Sequence, residues 1–206
     1  MLIKIDHENP SQQLIKRVAE ILREGGVIAY PTDTVYGIGC DLFNKEAIER
    51  IYRIKQLPRS KPLSFICQDL KDISEYAAVS NAGYKIMKRL LPGPYTFILK
   101  ATKKVPRMVT THQHTVGIRV PDNKICLALL GALNSPVIST SAAVHEDEVL
   151  SDPVEIDRKF GNLLDIVIDG GILMSDPSSV IDLTDDEEPR VVREGKGDVS
   201  FLLAKR

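Results

Sequence analysis

The 206-residue chain has only three cysteines, Cys40, Cys67 and Cys126, an odd number set far apart with no C-x-x-C spacing. That pattern supports neither a disulfide framework nor a zinc site and leaves reduced, buried thiols as the expectation. Net charge is nearly absent, −1 from 27 Lys and Arg against 28 Asp and Glu, so the whole-molecule field offers phosphate no attraction and any nucleic acid needs a local basic surface. No apolar run approaches about 18 residues, and the opening MLIKIDHENP is not a basic segment followed by an apolar stretch. Neither a membrane span nor a signal peptide is therefore expected, and the expected compartment is the cytosol. Aromatic residues are scarce, at 5%, so RNA contact would favour backbone and shape over base stacking.

The common catalytic signatures are missing as well. The sequence holds no G-x-x-x-x-G-K-[ST], no G-x-S-x-G, no H-E-x-x-H and no protein-kinase set. Gly37-Ile38-Gly39 matches the start of a dinucleotide fingerprint, but the third glycine is absent and the loop does not run straight into a helix. His112 and His114 are two apart and would face the same way on a strand as metal ligands, yet no third candidate lies nearby, and loop surface is the alternative reading.

What is present is an ordinary globular composition, 43% hydrophobic and 27% charged, in a chain long enough to bury a core without disulfides or metal. No repeat, low-complexity segment or Gly/Ser/Pro-rich linker interrupts it, so one domain over residues 1–206 is expected. Short β-branched runs alternate with segments of helical period, the pattern of an α/β fold. A strand near Leu2 to Ile5 precedes a helix capped at Asn9-Pro10 and stopped at Gly25-Gly26. A strand over 27–30, the loop PTDTVYGIGCD and a helix from Asn44 follow, with Lys55 at that helix's C-terminal end. Further strands are predicted over 63–67, 95–100, 115–120, 137–140, 164–168, 179–183 and 190–193, and helices over 81–91, 124–133 and 154–160, about eight strands and five or six helices in all. TDDEEPR reads as a solvated hairpin turn.

Hydroxyls and cations collect at the predicted strand ends. Thr32 and Thr34 follow one strand, Ser139, Thr140 and Ser141 close another, and Ser178-Ser179 opens a third. Lys55, Arg59 and Lys61 surround Pro58 and Pro62, while Arg119 and Arg193 end strands. Ligands of open α/β sheets bind outside strand ends, where hydroxyls and N–H groups reach an anion. Ser and Thr at such places also satisfy local backbone groups, and Lys or Arg beside Pro is often merely solvated. Arg119 sits in an otherwise apolar strand, and a buried guanidinium needs a carboxylate or phosphate; a ligand or a core ion pair would each serve.

The segments YPTDTVYGIGCD, IYRIKQLPRSKPLSFI, LLPGPYTFIL, TVGIRVPD, VISTSAA, SSVIDLT and VVREG, in this order, resemble the YrdC family of threonylcarbamoyl-AMP synthases, most nearly its YciO branch. The resemblance implies a twisted, open, mixed α/β sheet with helices packed on it and a concave basic face. It implies threonine near Thr32, Arg119, Ser139 and Ser179, and ATP near Lys55, Arg59, Thr115, Ser141 and Arg193, with Lys55 and Arg59 in the catalytic role. The reaction implied joins L-threonine, bicarbonate and ATP, with Mg²⁺ on the phosphates, into threonylcarbamoyl-AMP for tRNA modification. No protein nucleophile is required, because an anion approaching an anionic phosphorus needs charge neutralisation and alignment.

Three positions depart from the family pattern. Lys55-Gln56-Leu57 stands where K-x-R is common, Ser141-Ala142-Ala143 where S-x-N is common, and Ile66 where a histidine is often found. An alternative is therefore a module that binds double-stranded RNA or tRNA and has lost the synthesis, using Lys85, Lys88, Arg89, Lys100, Lys103, Lys104 and Arg107, residues that surface solvation alone also explains.

Overall fold

The computed structural model describes residues 1–143, 148–174, 176–185 and 188–203. In chain order the elements are β1 (Leu2–Lys4), α1 (Gln12–Arg23), β2 (Ile28–Tyr30), β3 (Gly37–Gly39), α2 (Lys45–Ile54), β4 (Ser64–Ile66), α3 (Leu70–Tyr76), β5 (Ala77–Ala78) and α4 (Asn81–Leu90). They continue with β6 (Tyr95–Ala101), β7 (Thr115–Arg119), α5 (Lys124–Leu133), β8 (Val137–Ser141), α6 (Pro153–Phe160), β9 (Ile166–Asp169), β10 (Ser179–Asp182), β11 (Arg190–Arg193) and α7 (Ser200–Leu203). The strands form one mixed sheet in the order β1-β9-β2-β3-β8-β4-β7-β6-β10-β11, with β5 beside β6.

Local chemistry explains most boundaries. Asn44, Asp69, Ser80, Asn123 and Asp152 each accept a hydrogen bond from a backbone N–H in the first turn of the helix they open, closing donors that a helix start leaves orphaned. Gly25, at φ +88°, ends α1 in the left-handed region, where glycine carries no Cβ penalty. The expected Asn9-Pro10 cap lies two residues early: Ser11 is the N-cap, and its side chain makes no capping bond.

The sheet divides its side chains by parity. Phe65, Phe97, Ile118 and Ile138 are fully buried in one cluster with Ala47, Ile48, Ile51, Ile73 and Met87 of the helices on that side. On the opposite face, α1 and α5 cover the β2–β9 end, where Ile15, Val18, Leu22, Ile125 and Leu129 meet Ile28, Ile166 and Ile168. Beyond Ile66 that face carries an open hollow.

Four of these elements were not expected from the sequence: β3, α3, β5 and α7. Glycine lowers strand propensity, so G-I-G reads as loop; in the fold it is an inner strand, antiparallel to both β2 and β8. A Cβ on Gly39 would stand 2.1 Å from the Ile138 carbonyl oxygen, so glycine is there for close strand approach. The G-I-G segment is therefore a strand and not a phosphate-binding turn, in line with its missing third glycine. His112 and His114 are exposed in the turn before β7 rather than on a strand. All three cysteines are buried and unpaired, and TDDEEPR lies partly outside the described residues. No described helix is long and apolar enough to cross a membrane.

Gly39→Ala should destabilise the protein by at least about 2 kcal/mol, because a backbone oxygen must shift. Gly131→Ala, exposed in α5 with only the Gln68 side chain in ordinary contact, should instead add about 0.5–1 kcal/mol through helix propensity. Urea unfolding of both variants tests the pair.

Candidate functional site

The hollow has a volume of about 920 Å³ and runs across the central strands, within the range of small-molecule sites. Its floor follows from pleating: successive side chains on a strand point to opposite faces. On β6 Thr96 and Ile98 face it, on β7 Thr115, Gly117 and Arg119, on β4 Ser64 and Ile66, and on β8 Ser139 and Ser141. Ser139, Ser64, Gly117 and Ile98 are in direct register across β8, β4, β7 and β6. Gly37 pairs with Ser141, and Arg193 of β11 pairs with Val180.

Four cations, Lys55, Lys61, Arg119 and Arg193, line the hollow, and among its described lining residues there is no carboxylate. Lys55 is the C-cap of α2; its ammonium donates to the Ala143 carbonyl oxygen and lies 5.9 Å from the Phe160 ring centroid. Burial, helped by the charge of Lys61, lowers its pKa to about 8. Burial and the nearby Arg119 charge also lower the Arg193 pKa, though a guanidinium stays protonated in neutral water. Arg193 is held by its Nε and Nη2, which donate to the Ser178 carbonyl oxygen at 3.1 and 2.8 Å.

Arg119 forms the deepest charge. Its Nη1 donates to Thr34 Oγ1 at 2.8 Å and its Nη2 to Asp33 Oδ1. Several other hydroxyls hold one another or the backbone. Thr32 Oγ1 donates to the Val35 carbonyl oxygen at 2.7 Å and accepts from the Thr34 N–H at 3.0 Å. Thr115 and Thr111 hydroxyls are 2.7 Å apart, those of Thr96 and Ser178 2.9 Å, and Ser64 Oγ donates to the Ser139 carbonyl oxygen at 2.8 Å.

The fold thus brings together Thr32, Lys55, Thr115, Arg119, Ser139, Ser141 and Arg193 from distant parts of the chain. Two residues named from the sequence lie elsewhere. Arg59 is exposed, pairs with Glu49 and covers the Tyr52 ring, its guanidinium carbon 5.0 Å from the centroid. Ser179 is fully buried on the other parity of β10; its hydroxyl donates to the Gly197 carbonyl oxygen and accepts from the Gly195 N–H, a structural anchor. Thr96, Ser64, Gly117 and Asp33 were not predicted as site residues. Small or polar residues two apart on consecutive strands, as in T-x-I, S-x-I and T-x-G-x-R, were the available signal. The three departures, Leu57, Ile66 and Ala143, all line the hollow.

The molecule is thus a mixed α/β protein with an open hollow on one sheet face, lined by four cations. A family model described as "Telomere recombination" (Sua5, YciO and YrdC) matches residues 20–195, and the chain belongs to that family. It is 49% identical to the "Uncharacterized protein YciO" of Escherichia coli, covering 97% of each chain. The crystal structure of E. coli YciO superposes with a TM-score of 0.91 at 47% identity, again over 97% of each chain. It is 37% identical to a threonylcarbamoyl-AMP synthase of Hydrogenovibrio crunogenus over 65% of this chain and 74% of the other. P. abyssi Sua5 complexed with L-threonine matches with a TM-score of 0.89 at 29% identity, covering 95% of this chain and 57% of that one. These structures share the twisted, open mixed sheet with its packed helices.

The buried Ser179 bonds predict that Ser179→Ala lowers stability by about 1–3 kcal/mol, since the Gly195 N–H and Gly197 carbonyl lose their partner. Arg59→Ala should leave the unfolding midpoint unchanged. Denaturant titration of the two variants distinguishes the anchor from the surface ion pair.

Proposed function

We propose that the hollow binds ATP and L-threonine and carries threonylcarbamoyl-AMP chemistry, a nucleotidyl transfer that supplies threonylcarbamoyladenosine modification of tRNA. The observation that carries this reading is the convergence of Lys55, Lys61, Arg119 and Arg193 on one open hollow with no described carboxylate in its lining. The likeness to a threonylcarbamoyl-AMP synthase and to a threonine-bound Sua5 supports the same ligands. In this reading Arg119 takes the threonine carboxylate through its planar fork, with Thr32 and Ser139 beside it. Lys55 and Arg193 offset phosphate charge from two sides, and Thr115 and Ser141 offer hydroxyls to the nucleotide.

In the reaction, the threonine amine and bicarbonate condense to a carbamate with loss of water. A carbamate oxygen then attacks the α-phosphorus of ATP, and pyrophosphate leaves. The side chains hold reactants in line and balance charge, which is where such catalysis comes from. Because the described lining offers no carboxylate, Mg²⁺ fits here only as an ion carried on the nucleotide's phosphate oxygens, where it would supply further charge neutralisation. Leu57, Ile66 and Ala143 each remove a polar contact of about 1–3 kcal/mol from the lining, so synthesis should be slow.

A second reading keeps the fold as a double-stranded RNA or tRNA-binding module. Lys85, Lys88, Arg89, Lys100, Lys103, Lys104 and Arg107 are exposed, and none lines the hollow, so RNA held by them would lie beside it. Lys104 is paired with Glu75, and Arg89 covers the Phe201 ring.

Incubation with ATP, L-threonine and bicarbonate should release pyrophosphate and yield the threonine adduct at high protein concentration. Absence of both products, together with RNA binding that weakens steeply with salt, would favour the second reading. Arg119→Ala should weaken L-threonine binding by about 1.5–3 kcal/mol in calorimetry, the loss of a charged hydrogen-bonded contact. Nucleotide affinity should also fall as pH rises above about 8. Lys55 then loses its proton in the free protein, whereas a bound phosphate would hold the proton on, so the affinity drops by up to about tenfold per pH unit. Lys55→Arg should flatten that profile between pH 8 and 10.

A further inference from the structure

We infer that Asp33 is an internal competitor for Arg119, standing where a ligand carboxylate would stand and setting the affinity of the site for carboxylates. The inference rests on the reading of Arg119 as the carboxylate anchor and goes beyond it. Both side chains are nine-tenths buried, each at 10% exposure, and they form an ion pair. With Nη2 given to Asp33 and Nη1 to Thr34 Oγ1, both terminal nitrogens of the fork are engaged from within the protein. Arg119 is thereby satisfied, in part, by a carboxylate that belongs to the chain.

The pairing is incomplete. Arg119 Nε and Asp33 Oδ2 are buried without a hydrogen-bond partner, an unusual state for charged groups, since an unpaired buried polar atom costs its full desolvation. Neither atom is open to the hollow, so no ligand can pair with them unless the two side chains part. An entering carboxylate that takes the side of the Arg119 fork held by Asp33 must displace it, and one that uses the second hydrogen of each terminal nitrogen still meets the Asp33 charge across the same guanidinium. A resting arrangement with two unmet polar atoms opposes that exchange less than a fully bonded pair would.

The segment that would move has an external tie. Lys196 Nζ donates to the Asp33 carbonyl oxygen at 2.7 Å from the loop that Ser179 anchors through Gly195 and Gly197. Lys196 is exposed and lies outside the lining of the hollow; its backbone N–H donates to Pro177 of the lining, which a side-chain truncation leaves in place, while its ammonium donates to Asp33. Removing it should ease the displacement without touching a ligand.

Calorimetric titration of wild type, Asp33→Asn and Lys196→Ala with L-threonine, L-lactate and L-threoninol tests this, with thermal unfolding as the check on folding. Asp33→Asn should bind the two carboxylates about fivefold tighter or more and gain nothing for L-threoninol, which lacks the carboxylate. Lys196→Ala should gain about twofold with the same selectivity. If L-threonine binds no variant while L-lactate still gains in Asp33→Asn, the threonine assignment fails and the competitor role stands. Equal or weaker carboxylate binding by a folded Asp33→Asn overturns it. Should Asp33→Asn not fold, unchanged carboxylate affinity in Lys196→Ala overturns it equally.

Discussion

The alternation of side chains along four neighbouring strands is the constraint on which the rest of the molecule depends. On β4, β6, β7 and β8 the large apolar residues Phe65, Phe97, Ile118 and Ile138 all take one parity and disappear into the core. The other parity then holds Ser64, Thr96, Gly117 and Ser139, too short to fill the space above them. A one-residue slip in any of these strands would exchange the two sets, exposing phenylalanine in the hollow and burying serine beneath it. Fold stability and an open binding face are thus two results of one register. The core burial that packs one face of the twisted sheet against α2, α3 and α4 leaves the opposite parity to the hollow.

Charge is distributed by the same geometry. The chain as a whole is near neutral, yet the described lining of the hollow holds cations without carboxylates. Local segregation therefore supplies the field that net charge does not, and low-dielectric walls strengthen it. Burial first, and a neighbouring positive charge second, lowers the pKa values of Lys55 and Arg193, so their charged forms are less favoured there than in water. An anion beside them would favour the charged forms. Leu57, Ile66 and Ala143 add apolar surface to the same lining, which limits how many anionic oxygens can be satisfied at once.

How much of this was legible in the sequence depends on the range of the interaction. Gly25-Gly26, Asn44 and Asn123 act within a turn of their own position, so helix limits could be read from them. Thr32, Lys55, Arg119, Ser141 and Arg193 converge through a topology that the resemblance implied, although no single residue type could have demonstrated it. β3 escaped notice because Gly37 and Gly39 are in a strand for steric reasons that exist only once β2 and β8 stand on either side. Ser179 differs from Ser178 by one position, which in a strand means the opposite face, and a hydroxyl pattern without a register cannot choose between them. Arg59 lies in a cation-rich loop where every charge looks equivalent; only the fold turns it outward to Glu49. The sequence left open whether Arg119 served a ligand or an ion pair, and the structure shows a pair with Asp33 together with a place for Arg119 in the lining of an open hollow.

The row Ser139, Ser64, Gly117 and Ile98 runs perpendicular to its strands, so a molecule resting on it advances one strand at a time, in steps of roughly 4.8 Å. Three such steps measure roughly 14 Å, a span suited to an elongated compound with different groups at its two ends. Each strand would meet a different portion of such a compound, like successive marks on a ruler. Evolution can then rewrite one portion of the recognised molecule by altering one strand while the neighbouring marks stay where they are.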